Sequence, residues 1–198
     1  MKARLILMSC ALILSPSAVF AQHGSGAPPL DTRAPREASQ FGFLIGQWDL
    51  VVKPKATTLA TRIHGMPKLQ GTWKAWRAFD GWGIEDELRI VDASGNPQAL
   101  TRFSRVFDPA AKRWNLSSLD VYRASFKQGT ALWQDNAMVS VTQSVDGEGK
   151  PVMVRTTMSK ITPASFRYQQ DRSDDGGKTW NEGTLVIEAR RTAASAPR

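Results

Sequence analysis

The chain has 198 residues, enough for one domain with a substantial core, and a formal net charge of +8. Its single cysteine, Cys10, lies near the N-terminus, which excludes disulfides, thiolate metal sites and a cysteine nucleophile from the rest of the chain. The 26 lysines and arginines are scattered singly without a dense patch, so nucleic-acid binding is not expected.

Residues 1–21 have the pattern of a secretory signal peptide. Lys2 and Arg4 give a positive start, residues 5–14 form an apolar run, and cleavage is expected after Ala21. Because this run is too short to span a bilayer, we expect an exported protein, periplasmic or extracellular, that is not integral to the membrane. In an alternative interpretation, Cys10 is the acylated residue of a lipoprotein.

The composition then divides the remaining chain into three parts. Residues 22–40 are rich in Gly, Ala, Pro and Arg without any period, and they predict a disordered spacer. A folded β-barrel domain is expected over residues 41–191. Residues 192–198 are expected to form a flexible tail.

The folded domain is expected to begin with a strand from Leu44 to Lys53. Trp48 is its large apolar anchor, and Gly46 allows the backbone to bend or to pass close to a neighbour. Residues 53–70 contain Pro54 and two further breakers, and they predict a loop or lid with one or two helical turns.

From Gly71 onward, apolar and polar residues alternate with a period of two, and turn signals interrupt the pattern at regular intervals. The further predicted strands cover residues 72–79, 84–91, 99–107, 113–122, 130–134, 138–145, 152–161, 166–172 and 180–191. With the first strand, this predicts an all-β fold: an antiparallel up-and-down barrel of about ten strands, similar to lipocalins and other calycins.

Two hairpin turns predict which side chains face inward. If the first turn is centred on Gly81-Trp82, Arg77 lies opposite Asp86. If the second is centred on Gly95-Asn96, Asp86 lies opposite Arg105.

The predicted row of Arg77, Asp86 and Arg105 has one carboxylate between two guanidiniums, and Trp73 and Phe103 share its face. Such a row carries a net positive charge and can bind a ligand carboxylate or phosphate in fork geometry. It can equally be a structural ion network that fills the barrel or lies at its rim. We take these five residues as the candidate ligand-binding site.

A second motif lies near the C-terminus. Residues 173–180 fit the pattern S-x-D-x-G-x-T-W, which resembles the Asp-box of sialidases and other β-propeller proteins. In those proteins the motif is a structural hairpin turn, and its fixed positions here are Ser173, Asp175, Gly177, Thr179 and Trp180. It occurs once, without a repeat, so a propeller is not expected.

The two ends of the domain together resemble a known family. The sequence FGFLIGQWDL at residues 41–50 and RSDDGGKTW at residues 172–180 are similar to those of exported bacterial proteins of unknown function, which carry an F-x-F-L-I-G-x-W start and an S-x-D-G-G-K-T-W hairpin. That family is grouped with lipocalin-like, calycin-type barrels. The resemblance spans residues 41–191 and implies a fold but no ligand, because the family has no agreed activity.

Two other barrel families offer weaker likenesses. Nitrobindins also open with a G-x-W strand and bind haem through a histidine in the C-terminal part, whereas His23 and His64 both lie outside that part. Fatty-acid-binding barrels carry a helical lid after the first strand, at the position of the lid expected here. They hold a ligand carboxylate with inward Arg and Tyr side chains, which Arg77 and Arg105 match by residue type only. No cofactor and no metal site are expected.

No residue pattern identifies a catalytic site. His64 is the only histidine available as a base in the folded domain, and Glu85 and Glu87 share a face that is predicted to point outward. We therefore predict noncatalytic binding of a small apolar or amphipathic anionic ligand in the lumen. The main alternative is an envelope interaction module with a filled barrel, in which Trp76 or Trp82 lies on a partner surface. A hydrolase or isomerase and a haem binder are further alternatives.

Overall fold

The structure, a computed structural model, describes residues 32–56 and 59–193, with only the backbone of Ala60. Ten antiparallel strands follow one another around a closed barrel, and the first strand pairs with the last. The predicted all-β, up-and-down barrel of about ten strands is confirmed. The predicted signal peptide, residues 22–31 of the spacer and residues 194–198 of the tail lie outside the described residues.

The strands are β1 Gly46–Pro54, β2 Leu69–Ala78, β3 Gly83–Asp92, β4 Pro97–Asp108, β5 Arg113–Asp120, β6 Ser125–Gln134, β7 Ala137–Val145, β8 Pro151–Ser159, β9 Ser165–Ser173 and β10 Asn181–Arg191. One helix, α1 Leu59–His64, lies in the predicted loop or lid, and short 3-10 turns cover Arg36–Ser39, Gly42–Leu44 and Phe79–Gly81.

Because successive strands are antiparallel, the links between them fall alternately at two ends of the barrel. We call the end that holds the β2–β3 link and the N-terminal 3-10 turns the capped end. The end that holds the β1–β2, β3–β4, β5–β6, β7–β8 and β9–β10 links is the open end.

The packed chain starts earlier than the predicted boundary after Gln40. Ala38 is buried in the core cluster, and the Gln40 side-chain oxygen accepts a hydrogen bond of 3.0 Å from the Trp114 indole. These contacts place the 3-10 turn at Arg36–Ser39 against the barrel, in a stretch whose composition predicted disorder.

Aromatic side chains fill the capped half of the lumen. Phe41 meets Trp114 edge to face at 4.8 Å between ring centroids, and Trp48 meets Phe166 in the same way at the same distance. Edge-to-face packing suits the charge distribution of aromatic rings. Trp48, the predicted anchor of the first strand, is fully buried, and its indole donates to the Leu44 carbonyl at 2.7 Å.

Arg191 connects the segment that precedes β1 to the last strand. Its guanidinium lies 4.1 Å from the Trp48 ring centroid and donates to the carbonyl oxygens of Pro163 at 2.7 Å and Ile45 at 2.9 Å. A single side chain of β10 therefore stabilises the segment that precedes β1.

The predicted register is wrong by two residues at both hairpins. Asp86 lies opposite Ala75 and not Arg77, and Ile84 lies opposite Arg105. Each turn is centred one residue earlier than predicted, and a one-residue change of centre moves the partner by two. Because side chains alternate with a period of two, the inward face is nevertheless the predicted one.

Replacing Gly46 by alanine should lower the free energy of unfolding by about 1–3 kcal/mol. Gly46 has φ +124°, and a Cβ there would collide with the Arg191 guanidinium. Urea unfolding measures the change. Gly42→Ala is the matched control, since a Cβ at Gly42 would have nothing within 4 Å. Equal losses in the two variants would contradict this account of Gly46.

Candidate functional site

An interior cavity of about 290 Å³ lies in the open half of the barrel and is bounded by side chains of eight strands, β3 to β10. Leu88, Phe103 and Met158 provide apolar walls, whereas Arg105 and Tyr168 bring polar groups. Larger concavities of about 920 and 600 Å³ lie on the outer face around Phe126. The interior cavity is the candidate site because inward side chains surround it, as in pockets that enclose small molecules.

A buried ion pair separates the cavity from the aromatic cap. The Asp86 carboxylate, 0% exposed, accepts hydrogen bonds from Arg105 Nε at 2.6 Å and Nη2 at 3.0 Å. It also accepts one from the Trp73 indole at 2.7 Å. Three donors thus compensate a carboxylate that would otherwise be very costly to bury.

The Arg105 guanidinium is also held between two aromatic rings. Its central carbon lies 4.7 Å from the Phe103 centroid and 4.9 Å from the Phe41 centroid. Arg105 lines the cavity, and its Nη1 atom makes no hydrogen bond within the described residues. The pair is neutral as a whole, yet it can present one guanidinium donor to the lumen.

Four of the five predicted site residues come together, and the fifth does not. Trp73, Asp86, Phe103 and Arg105 are neighbours in the barrel interior. Arg77 is exposed at the capped end, where it borders a surface concavity with the Arg36–Ser39 turn. The predicted row of two guanidiniums around one carboxylate does not form, and its net positive charge is lost.

Sequence reasoning missed Tyr168, a buried residue of β9 in the cavity wall. Its hydroxyl accepts a hydrogen bond of 2.6 Å from the Gln170 side-chain amide. A tyrosine phenol is protonated at neutral pH and can donate, and burial raises the pKa of Tyr168 further. The strand over residues 166–172 was predicted, but nothing in its sequence placed Tyr168 beside Trp73.

Sequence reasoning also missed Lys127, a half-buried residue of β6 that lines the cavity. It makes no ion pair within the described residues. Asp120, on the same wall, is paired with Arg123 at 2.8 Å. Lys127 is therefore a cation at the cavity that no described carboxylate compensates.

The Asp-box segment forms a tight hairpin between β9 and β10. Asp175 accepts from the Thr179 hydroxyl at 2.6 Å and from the Lys178 and Thr179 amides at 3.0 Å. The Ser173 hydroxyl donates to Asp175 at 2.7 Å and accepts from the Gly177 amide at 2.8 Å. The Trp180 indole donates to the Gly177 carbonyl at 3.1 Å.

A buried carboxylate on the outer face supports this hairpin. Asp171 accepts from Arg155 Nη2 at 2.9 Å and from the Gly183 amide at 2.9 Å. Arg155 in turn lies 4.5 Å from the Trp180 ring centroid. These contacts join β8, β9 and β10 outside the lumen and have no connection to the cavity.

The remaining sequence candidates lie away from the cavity. His64 is exposed on α1, and Trp76 lies on the outer face under Arg102, 5.0 Å from its guanidinium carbon. Glu87 accepts from Arg89 and Arg102 on the same outer face. Within residues 32–56 and 59–193, no three His, Cys, Asp or Glu side chains are grouped to hold a metal ion.

Comparison with protein-family models found none that matches the chain, and comparison with curated proteins found no match either. Among the described residues, no helix is long and apolar enough to cross a membrane.

Breaking the buried ion pair should cost far more than breaking a surface pair. Asp86→Asn or Arg105→Met should each lower the free energy of unfolding by about 3–5 kcal/mol, because each leaves a buried partner uncompensated. The double variant should lose less than the sum of the two.

A double-mutant cycle on Glu87 and Arg102, which lie 3.0 Å apart with Arg102 about half exposed, is the matched control. Its coupling should be below about 1 kcal/mol. Additive losses at Asp86 and Arg105 would contradict the assigned pairing.

The Asp175 turn predicts a specific acid sensitivity. Hydrogen bonds, above all from the Thr179 hydroxyl, lower the pKa of Asp175 from 3.8 to about 2. Because the folded-state pKa lies below the unfolded value, the stabilisation is present above pH 3.8 and is lost as the pH falls toward 2. Asp175→Asn should reduce the slope of the unfolding free energy across this interval, as measured by urea unfolding at each pH. Other carboxylates with a lowered pKa, such as Asp92 and Asp146, keep part of the slope.

Asp174→Asn is the control for this titration. Asp174 is exposed and accepts from Arg172, but it makes none of the turn's backbone hydrogen bonds. It should retain the pH dependence of the wild type. A wild-type slope in Asp175→Asn would contradict the role of that carboxylate.

Proposed function

We propose that the barrel binds a small amphipathic, anionic molecule in its lumen and does not transform it. The observation that carries the proposal is the interior cavity of about 290 Å³, whose largely apolar lining also contains two hydrogen-bond donors, Arg105 and Tyr168. This volume lies at about the lower limit of small-molecule pockets, near 300 Å³. A compact ligand fits such a space better than a long chain does.

The charges of the cavity suggest how the ligand is oriented. Asp86 neutralises Arg105, so the inner end offers hydrogen-bond donors without net charge. Lys127 lies beside Ser118 toward the open end and carries an uncompensated positive charge. In this orientation the negative charge of the ligand lies beside Lys127. A ligand oxygen accepts hydrogen bonds from Arg105 Nη1 and the Tyr168 hydroxyl, and the apolar body of the ligand packs against Leu88.

The main alternative, an interaction module, requires a filled barrel. The aromatic filling around Trp48 and Trp114 occupies the capped half, and the open half retains the cavity. This contrast favours ligand binding over a purely structural interior.

We further propose that the protein is exported after cleavage behind Ala21, and that it belongs to the exported family that its two terminal motifs resemble. The charged start and apolar run of residues 1–21 support export. The ten-stranded antiparallel barrel agrees with the lipocalin-like architecture that the resemblance implies.

Native mass spectrometry of the protein purified from its own compartment tests the lumen site. The wild type should carry a small bound molecule, and Tyr168→Phe or Lys127→Met should each reduce the bound fraction about three- to tenfold, because each removes one polar partner. These variants leave the Asp86–Arg105 pair intact and should therefore remain folded.

Arg77→Met is the matched control, because Arg77 is an exposed arginine at the capped end. It should retain full occupancy. A wild type without any bound molecule, or full occupancy in both Tyr168→Phe and Lys127→Met, would overturn the proposal. The same spectra give the mass of the chain, which should begin at Gln22 if export and cleavage occur as proposed.

A further inference from the structure

We propose that the open end of the barrel docks on an anionic lipid surface. The contact is made by the β1–β2 connector, described here over residues 55–56 and 59–68, and by the β5–β6 turn. This inference concerns the outside of the rim and goes beyond ligand binding in the lumen.

Large apolar side chains are exposed at both of these links. Leu59 and Ile63, 72% and 67% exposed, lie four residues apart on α1 and therefore share one helix face. Across the β5–β6 turn, Tyr122 and Phe126 are 52% and 77% exposed. These four are more exposed than the large apolar side chains toward the capped end, such as Phe79 at 43% and Trp133 at 37%, and exposed apolar groups of this size indicate an interaction surface.

The charge of the connector favours an anionic partner. No aspartate or glutamate occurs between Asp49 and Asp80, and the basic residues on or next to the connector are Lys53, Lys55, Arg62 and Lys68. Within the described residues, Lys53, Arg62 and Lys68 make no ion pair.

The acidic side chains at the open end are, by contrast, mostly engaged in ion pairs or in hydrogen bonds to turns. Asp120 pairs with Arg123, Glu148 with Lys150, and Asp174 with Arg172. Asp92 caps the β3–β4 turn through the Ser94 and Asn96 amides. Among the described charges of this end without an ion pair, Asp92 and Asp175 are held by turn hydrogen bonds and Lys127 lies at the cavity, so the connector carries the exposed positive charge.

The distribution of these groups favours a flat partner over a compact one. The connector joins β1 to β2, and Tyr122 and Phe126 flank the β5–β6 link, with β3 and β4 between the two links on the rim. A lipid surface can contact both links at once. Apolar side chains interleaved with lysine and arginine are typical of segments that lie at the interface of anionic membranes.

Vesicle flotation tests this surface with the chain from Gln22 onward, which retains every strand and the cap. The probes are vesicles of phosphatidylcholine alone and of phosphatidylcholine with an equal amount of phosphatidylglycerol. The wild type should partition at least about tenfold more strongly to the anionic vesicles, because near-surface lysines and arginines each add to binding.

Leu59→Ser/Ile63→Ser should reduce partition to anionic vesicles about tenfold or more, and Arg62→Gln/Lys68→Gln should remove most of the preference for phosphatidylglycerol. Leu132→Ser is the matched control, since Leu132 is 48% exposed on β6 toward the capped end. Circular dichroism should report an intact barrel in every variant.

Three results would overturn the proposal: no binding of the wild type to anionic vesicles, equal losses in Leu132→Ser and the connector variants, or binding to soluble polyglutamate without binding to vesicles. The last result would identify an acidic protein as the partner instead. Tyr168→Phe should float like the wild type, and Leu59→Ser/Ile63→Ser should keep its lumen occupancy, so failure of docking is distinguishable from failure of the lumen site.

Discussion

The interior of this barrel depends on the bond between Asp86 and Arg105. A buried charged pair is tolerable when its charges are compensated, and here the Trp73 indole and two aromatic rings add to the ion pair, while Arg105 Nη1 is left at the cavity. The pair divides the barrel into two unlike halves. Toward the cap, aromatic rings fill the lumen, whereas toward the open end hydroxyls and Lys127 line a cavity of about 290 Å³.

The fold was largely predictable because the strands alternate with a period of two and are separated by clear turn signals. The inward position of Asp86 and Arg105 was predictable for the same reason. The residues that lie opposite them in the neighbouring strands were not predicted correctly. At the first turn Phe79 and Asp80 adopt positive φ without being glycine, so the turn is centred before the Gly81-Trp82 pair that the sequence favoured. This small difference places Arg77 opposite Ile84 and not opposite Asp86.

Tyr168 and Lys127 show a different limit of sequence analysis. Both belong to strands far along the chain from β2 and β3, and they reach the cavity because the sheet closes on itself. Hairpin pairing can be inferred from neighbouring residues, but contacts across a lumen depend on the curvature of the whole sheet. The turn at residues 173–180 is the opposite case. The hydrogen bonds described for it all lie within eight residues, so the sequence pattern alone predicts them.

The seam between β1 and β10 has a consequence for how the chain becomes a barrel. The first strand to emerge from synthesis can find β2 early, but its other edge is completed only by the last strand. Until then both outer strands of the growing sheet present unpaired amides and carbonyls, which invite association between chains. Arg191 also anchors the segment that precedes β1. The final residues of β10 therefore complete the strand pairing and fix that segment at the same time, and a nascent chain without these residues has neither the closed sheet nor the fixed segment.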